Sequence, residues 1–254
     1  MNQDLAQKII ELNKQSYDSI SSEFSKSREY IWPVLKYLAS FVSFESRVLD
    51  VGCGNGRMVE VLPEGIKSYL GMDFSESLIK LAKNKFAKDN IKFISYDILK
   101  KWPAENDSID AVSMIAVLNH IPSRELRMQV MKEAYRVLSP GGYLLMTNFN
   151  MWRSSFLKKG ILKYIMNRLK MQDIEWQANL GFSVKGLGFR DVITLWEKDD
   201  KKAYLYYYAF TLQELIRLGR GAGLKLVEAF WEKDGMHAPF YKADNLVTVF
   251  KKEN

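Results

Sequence analysis

The sequence predicts an α/β fold in which a doubly wound, largely parallel sheet carries helices on both faces. Three observations lead there. Between residues 47 and 150, short apolar runs alternate with amphipathic ones. The first run, Val48-Leu-Asp-Val51, passes into Gly52-Cys-Gly54-Asn-Gly56, with glycine at alternate positions. The composition, 47% hydrophobic and 26% charged over 254 residues, suits a globular chain that buries a full core.

Residues 3–13 and 27–42 carry helical apolar spacing, with Ser27 as a cap for the second helix and Trp32-Pro33 near its start. Arg47-Val-Leu-Asp-Val-Gly52 reads as a buried strand. After it come a helix at 56–62, a strand at 67–72, a helix at 75–88, strands at 91–95 and 109–115, a helix at 122–138 and a strand at 142–150. Asp73-Phe-Ser75-Glu76 looks like a strand end followed by a capped helix, and Pro140-Gly-Gly142 like a turn after a helix. Segment 151–202 breaks the rhythm. It is rich in Lys, Trp and Met and is interrupted by Gly181, Gly186 and Gly188, so it is expected to be an insertion, helical in its first half. The pattern resumes with a helix at 211–220 and strands at 223–231 and 244–251, an antiparallel hairpin at the sheet edge. The expected organisation is a single domain over 1–254: a helical cap at 1–45, a core at 46–150, an insertion or lid at 151–202, and a C-terminal helix and edge hairpin at 203–254.

The formal net charge is +7, and 151–202 holds eleven Lys/Arg against six Asp/Glu. Such a segment is either a patch for an anionic partner, such as nucleic acid or an acidic membrane surface, or a solvated lysine-rich face. The one cysteine, Cys53, excludes an intramolecular disulfide. With only His120 and His237 beside it, a dedicated zinc site is not expected. No apolar run has the length of a membrane span, and the first residues lack the apolar core of a signal peptide. The expectation is a cytoplasmic protein without membrane attachment.

Chemistry concentrates at the glycine turn. Ligands of such sheets bind in the crevice beyond the carboxyl ends of the strands. A dinucleotide fingerprint would place a further glycine at position 57, which is Arg57. Asp50, just before the turn, would repel a pyrophosphate and suits the cationic end of a ligand. Asp73 ends the next strand about twenty residues on, where an acid holds a ribose diol; the competing role is a helix N-cap before Ser75. Asp97, after Ile91-Lys-Phe-Ile-Ser95, either meets an adenine amino group or is a loop carboxylate.

Together these residues resemble the class I S-adenosylmethionine (SAM)-dependent methyltransferases over Arg47–Phe149, including Asp107-Ser-Ile-Asp110 and Arg136-Val-Leu-Ser-Pro-Gly-Gly142. The resemblance implies a Rossmann-like seven-stranded sheet with an antiparallel last strand, and SAM as cofactor. It implies that Asp50, Gly52, Cys53, Gly54, Asn55 and Gly56 form the loop around the methionine part of SAM. Asp73 with Phe74 would meet the ribose, Asp97 with Ile98 would flank the adenine, and Ala116 and Val117 would lie under the methyl donor. Outside the core, Tyr17-Asp-Ser-Ile-Ser-Ser-Glu-Phe24 through Arg28, then Trp32-Pro33, Met114–Arg127 and Tyr206-Tyr-Tyr-Ala-Phe210 resemble the tRNA wobble-uridine methyltransferases of the Trm9/ALKBH8 type. That likeness implies tRNA as acceptor, a small zinc-binding activator protein as partner, and Arg28 and His120 as the residues that position the acceptor. Asn119 stands where that family has a first histidine, and Leu205 and Tyr208 where its late motif has arginine and histidine. These departures bear on the acceptor more than on the cofactor. The alternative is a small-molecule methyltransferase of the same fold. Trp152, Trp176 and Trp196 either stack bases or cover the insertion's own core.

Overall fold

The computed structural model describes residues 1–27, 30–153, 173–198 and 200–253. Its strands are β1 (Arg47–Val51), β2 (Ser68–Asp73), β3 (Ile91–Ser95), β4 (Ile109–Ile115), β5 (Leu138–Phe149), β6 (Asp191–Lys198), β7 (Lys201–Tyr208), β8 (Lys225–Lys233), β9 (Met236–His237) and β10 (Asn245–Lys251). Its helices among the described residues are α1 (Gln3–Lys26), α2 (Pro33–Ala39), α3 (Glu76–Phe86), α4 (Arg124–Val137), α5 (Asp173–Leu180) and α6 (Leu212–Gly221). The main sheet runs β3-β2-β1-β4-β5-β10-β8-β9, and β6-β7 form a separate hairpin. The pairs among β1 to β5 are parallel, and β10 is antiparallel to both its neighbours. This is the doubly wound sheet expected from the strand–helix alternation, with the antiparallel last strand that the resemblance implies.

The central strands show no polar face because helices cover both sides. Leu49, Val112, Met114, Leu144 and Phe250 bury against α4 and α6 through Val130, Met131, Ala134 and Leu215. Their neighbours Val48, Ala111, Leu145 and Val249 point the other way, against Val34, Leu35 and Leu38 of α2 and Ile79 and Ala82 of α3. Period-2 alternation thus feeds two cores from one set of strands.

Several elements differ from expectation. α1 runs unbroken to Lys26, and Ser27 is its C-cap, not the cap of a second helix. Pro33 opens α2 at the first helical position, where a missing N–H costs nothing. Residues 57–61 form a 3₁₀ turn. β8 and β10 form the expected antiparallel hairpin at the sheet edge, and the two-residue β9 adds an eighth strand beyond the seven expected. Most of the expected helical half of the insertion lies outside the described residues. The β6–β7 hairpin was not anticipated, and it straddles residue 202, where the insertion was expected to end. Its alternating aromatic and β-branched residues sit among lysines and acids that hide the period.

α1 explains the hairpin's position. Leu5, Ile9, Asn13, Tyr17 and Ile20 recur at helical spacing and are buried. The two sides share apolar cores, one built with Val192, Ile193 and Tyr206, the other with Ala203 and Leu205. β7 turns an open edge toward the helix, and α1 satisfies that edge with side chains. The Tyr206 N–H donates to Asn13 Oδ1 (2.8 Å), Asn13 Nδ2 donates to Tyr206 O (3.3 Å), and Ser16 Oγ donates to Tyr204 O (2.6 Å). Replacing Asn13 by Ala leaves the buried Tyr206 N–H without its acceptor. The expected loss is about 1–3 kcal/mol, read as a lower denaturant midpoint at unchanged slope. An unchanged midpoint would mean that the edge is satisfied without α1.

Candidate functional site

A cleft of about 380 Å³ opens where the strands end in their carboxyl direction. Asp50, Asp73, Tyr96, Ile115 and Phe149 line it from below, and Asn13, Tyr17 and Phe24 of α1 from above. Among the residues singled out from sequence, Asp50, Gly52, Cys53, Gly54, Asn55, Asp73, Phe74, Asp97, Ile98, Ala116, Val117 and His120 all line this one cleft. Gly56 does not line it, and Arg28 lies outside the described residues.

The three glycines have different physical tasks. Gly52 and Cys53 both donate to Met72 O, at 2.7 and 3.0 Å, which pins the turn to β2. At Gly54 φ is +55°, and a Cβ would meet nothing within 4 Å, because that space belongs to the cleft. At Gly56 φ is +83°, and a Cβ would meet Phe86 at 2.9 Å and Phe93 at 3.0 Å. Gly56 is therefore small to suit packing, whereas Gly54 leaves room for a ligand. Asn55 Nδ2 donates to Ser25 Oγ (2.9 Å) and ties the loop to α1.

Two buried carboxylates flank the loop. Asp73 accepts from the backbone N–H of Gly54 and of Ser75, both at 2.9 Å. Ser75 Oγ itself caps α3 through Leu78 N and donates to Asp18 of α1, so Asp73 is no simple N-cap. Asp50 accepts from Tyr69 OH at 2.6 Å and from Ser113 Oγ. Burial is the main cause that lifts each carboxyl from 3.8 to about 6, with hydrogen bonds opposing it. Asp97 sits at the exposed rim and accepts from Leu99 N (3.0 Å), while Ile98 beside it is buried. Ala116 holds φ +57° without being glycine, its N–H shared by Thr147 O and Oγ1. Strain of this kind persists where the surroundings over-determine a functional backbone. Burial pushes the Cys53 thiol up, consistent with a small filler of the loop.

His120 is held on both sides. A carbonyl only accepts, so the 3.0 Å contact with Tyr206 O places the proton on Nδ1. Nε2 then accepts from Tyr17 OH at 3.0 Å. Tyr207 packs on the imidazole with ring centroids 4.6 Å apart. Asn119 bridges Phe149 N and Tyr208 O, a structural link between β5 and β7.

Sequence reasoning did not place Asn13, Arg57 or Phe149 in the cleft. Arg57 stacks on Trp32, its guanidinium carbon 4.5 Å from the ring centroid. Tyr17 and Trp32 had a signal in the N-terminal pattern. Asn13 and Phe149 had none, because they arrive from segments 136 positions apart. Trp152 and Trp196 pack into the small cores under α1. Lys158, Lys159, Lys163 and the Trp176 side chain lie outside the described residues. Tyr206 OH donates to Asp191 and Tyr208 OH to Glu214, so both serve packing. Among the described residues no cluster of metal-ligating side chains occurs, and no helix is long and apolar enough to cross a membrane.

Residues 49–146 match the methyltransferase domain family. The chain is 26% identical to a tRNA (carboxymethyluridine(34)-5-O)-methyltransferase of Schizosaccharomyces pombe, over 87% of this chain and 91% of that protein. It is 32% identical to the Arabidopsis thaliana protein of that name, over 52% of this chain, and spans about a third of the relative's length (31%). Among solved structures, a complex between the Haloferax volcanii Trm112 methyltransferase activator and a protein described as a methyltransferase aligns over 95% of this chain and 98% of that one. The TM-score is 0.65 at 16% identity, a likeness of fold.

Two expectations follow. Gly54→Ala should keep a folded protein at a cost of roughly 1–2 kcal/mol for its left-handed backbone. Gly56→Ala should lose at least about 1 kcal/mol more through the clash with Phe86 and Phe93, seen in thermal midpoints. Second, a carboxyl whose folded pKa is raised binds its proton more tightly folded than unfolded. Stability therefore falls as pH rises from about 4 to about 6 and is flat above, by up to roughly 2–3 kcal/mol per group. Comparing unfolding free energies at pH 5 and pH 7, Asp50→Asn should shrink the difference; an unaltered difference would show that Asp50 does not titrate in this window.

Proposed function

We propose that this protein, whose residues 49–146 are a methyltransferase domain, uses S-adenosylmethionine to methylate the carboxymethyl group of a modified wobble uridine in tRNA, in the cytoplasm. The observation that carries the acceptor class is the state of His120. Both ring nitrogens are engaged by protein atoms, so the histidine at the cleft is not placed as a general base. A carboxylate needs none, being ionised at neutral pH. Near full-length similarity to the Schizosaccharomyces pombe protein supports the same acceptor.

The residues fit SAM. Gly54 leaves an open cradle, and Asp50 and Asp73 offer negative charge to a cation and its ribose. Asp50 faces the methionine part with Gly52, Cys53 and Asn55. Asp73 with Phe74 holds the ribose, and Asp97 with Ile98 the adenine. Ala116 and Val117 line the floor beside the reacting centre. When bound, SAM would supply an electrophilic methyl group, and a carboxylate acceptor, already ionised, would need no base from this chain. What the chain adds is alignment and exclusion of water. α1 closes the cleft from above. His120, through Tyr17, and Arg28 position the acceptor. A small zinc-binding activator protein completes the enzyme, in keeping with its fold neighbour. A second reading, a small-molecule acceptor, is favoured by the aromatic enclosure from Tyr17, Phe24, Trp32 and Phe149.

Labelled methyl transfer from SAM to total tRNA, set against a metabolite extract, tests the proposal. Label should enter tRNA and leave it under mild alkali, as a methyl ester does. Label confined to the metabolite fraction would overturn the tRNA reading. In calorimetry, Asp73→Ala should weaken SAM binding by roughly 1.5–3 kcal/mol. Unchanged affinity in the folded variant would remove Asp73 from the cofactor site.

A further inference from the structure

Given the proposed carboxylate acceptor, we infer that Lys14 of α1 holds that carboxylate and makes the cleft selective for an anionic acceptor. Charge is the reason such a residue is needed. Among the described residues, four acids line the cleft, Glu11, Asp50, Asp73 and Asp97, against two cationic side chains, Lys14 and Arg57. A crevice lined in this way draws in a cationic sulfonium and repels an anion, unless a cation stands where the anion must sit.

α1 divides the cleft along its length. Its C-terminal half is tied to the cofactor side. Ser25 Oγ accepts from Asn55 of the glycine loop at 2.9 Å, and Asp18 accepts from Ser75 at the start of α3 at 2.6 Å. Its middle holds the other side, where Asn13 Nδ2 donates to His120 O (3.3 Å) and Tyr17 OH to His120 Nε2 (3.0 Å). Lys14 follows Asn13 and stands one turn before Tyr17, on the helix face that carries the tyrosine. Its Cα is about 16 Å along the helix axis from that of Ser25, at 1.5 Å per residue. Lys14 therefore serves the half of the cleft assigned to the acceptor.

The two cations have different settings. Arg57 stands on the 3₁₀ turn that follows the glycine loop, stacks on Trp32, and is near enough to Asp50 to oppose the rise of its pKa. That setting suits the amino-acid end of the cofactor. Lys14 is exposed at the cleft and makes no ion pair among the described residues. Glu11, one turn before it, accepts instead from Gln15 Nε2 at 2.8 Å. An ammonium on a flexible four-carbon stem can follow a small acceptor group, and its bond to a carboxylate is roughly twice as strong as a neutral hydrogen bond.

The test is binding of 5-carboxymethyluridine and of its uncharged amide, 5-carbamoylmethyluridine, to the full chain in excess S-adenosylhomocysteine, by ligand-detected NMR. The carboxylate should bind about ten-fold more tightly than the amide. Lys14→Gln should abolish the preference, and Lys14→Arg should keep most of it. Calorimetry with S-adenosylhomocysteine should give Lys14→Gln the affinity of the unaltered protein. Equal binding of the two nucleosides by the unaltered protein, or binding of neither, overturns the assignment. So does an unchanged preference in folded Lys14→Gln, or a loss of cofactor affinity in that variant, which would move Lys14 to the cofactor. The tRNA methylation assay fails independently. A protein that labels tRNA without preferring the carboxylate loses only the role of Lys14, and one that prefers it through Lys14 without labelling tRNA loses only the tRNA reading.

Discussion

Tyr206 offers both of its backbone polar groups to other parts of the chain, and the cleft depends on that meeting. Its N–H goes to Asn13 of α1, and its carbonyl takes bonds from Asn13 and from His120 after β4. An N-terminal helix, a turn of the central sheet and a late hairpin are joined there in a buried setting. α1 is also tied to the glycine loop through Ser25 and to the start of α3 through Asp18. A lone two-stranded hairpin is marginal in water, so β6 and β7 lean on the helix. Joined, they form a roof over the carboxyl ends of the strands, and the same bonds set the tautomer of His120 and the direction of the Tyr17 hydroxyl.

Beneath this roof the protein carries features that a stability-driven design would avoid. Asp50 and Asp73 are buried acids whose hydrogen bonds only partly offset desolvation. Ala116 is held with positive φ. Gly54 leaves empty space where most turns would place a side chain. These four features lie together at one crevice, and the surrounding cores are apolar. That contrast is the physical mark of a site kept ready for a ligand.

The outer edge of the sheet extends the same logic. β8 and β10 form the antiparallel hairpin expected at the sheet edge; β10 is its inner strand, enclosed by β5 and β8, and its first residue lies between Phe149 and Glu232. Enclosure gives Asn245 a fixed environment that a frayed edge could not, its amide donating to the buried Glu232.

The amino-acid order alone determined the doubly wound core, the glycine turn and the acids Asp50, Asp73 and Asp97, because these depend on local periodicity and on spacing within consecutive strand–helix units. Gly56 was legible as a turn glycine but not as a packing residue, since its neighbours Phe86 and Phe93 lie beyond the next strand. The β6–β7 hairpin, the continuous α1, and Asn13, Arg57 and Phe149 at the cleft were decided only by tertiary structure. Their positions follow from which open edge and which apolar face found each other. Contacts such as Asn13 with Tyr206 pair residues 193 apart, a separation over which sequence carries no periodic signal.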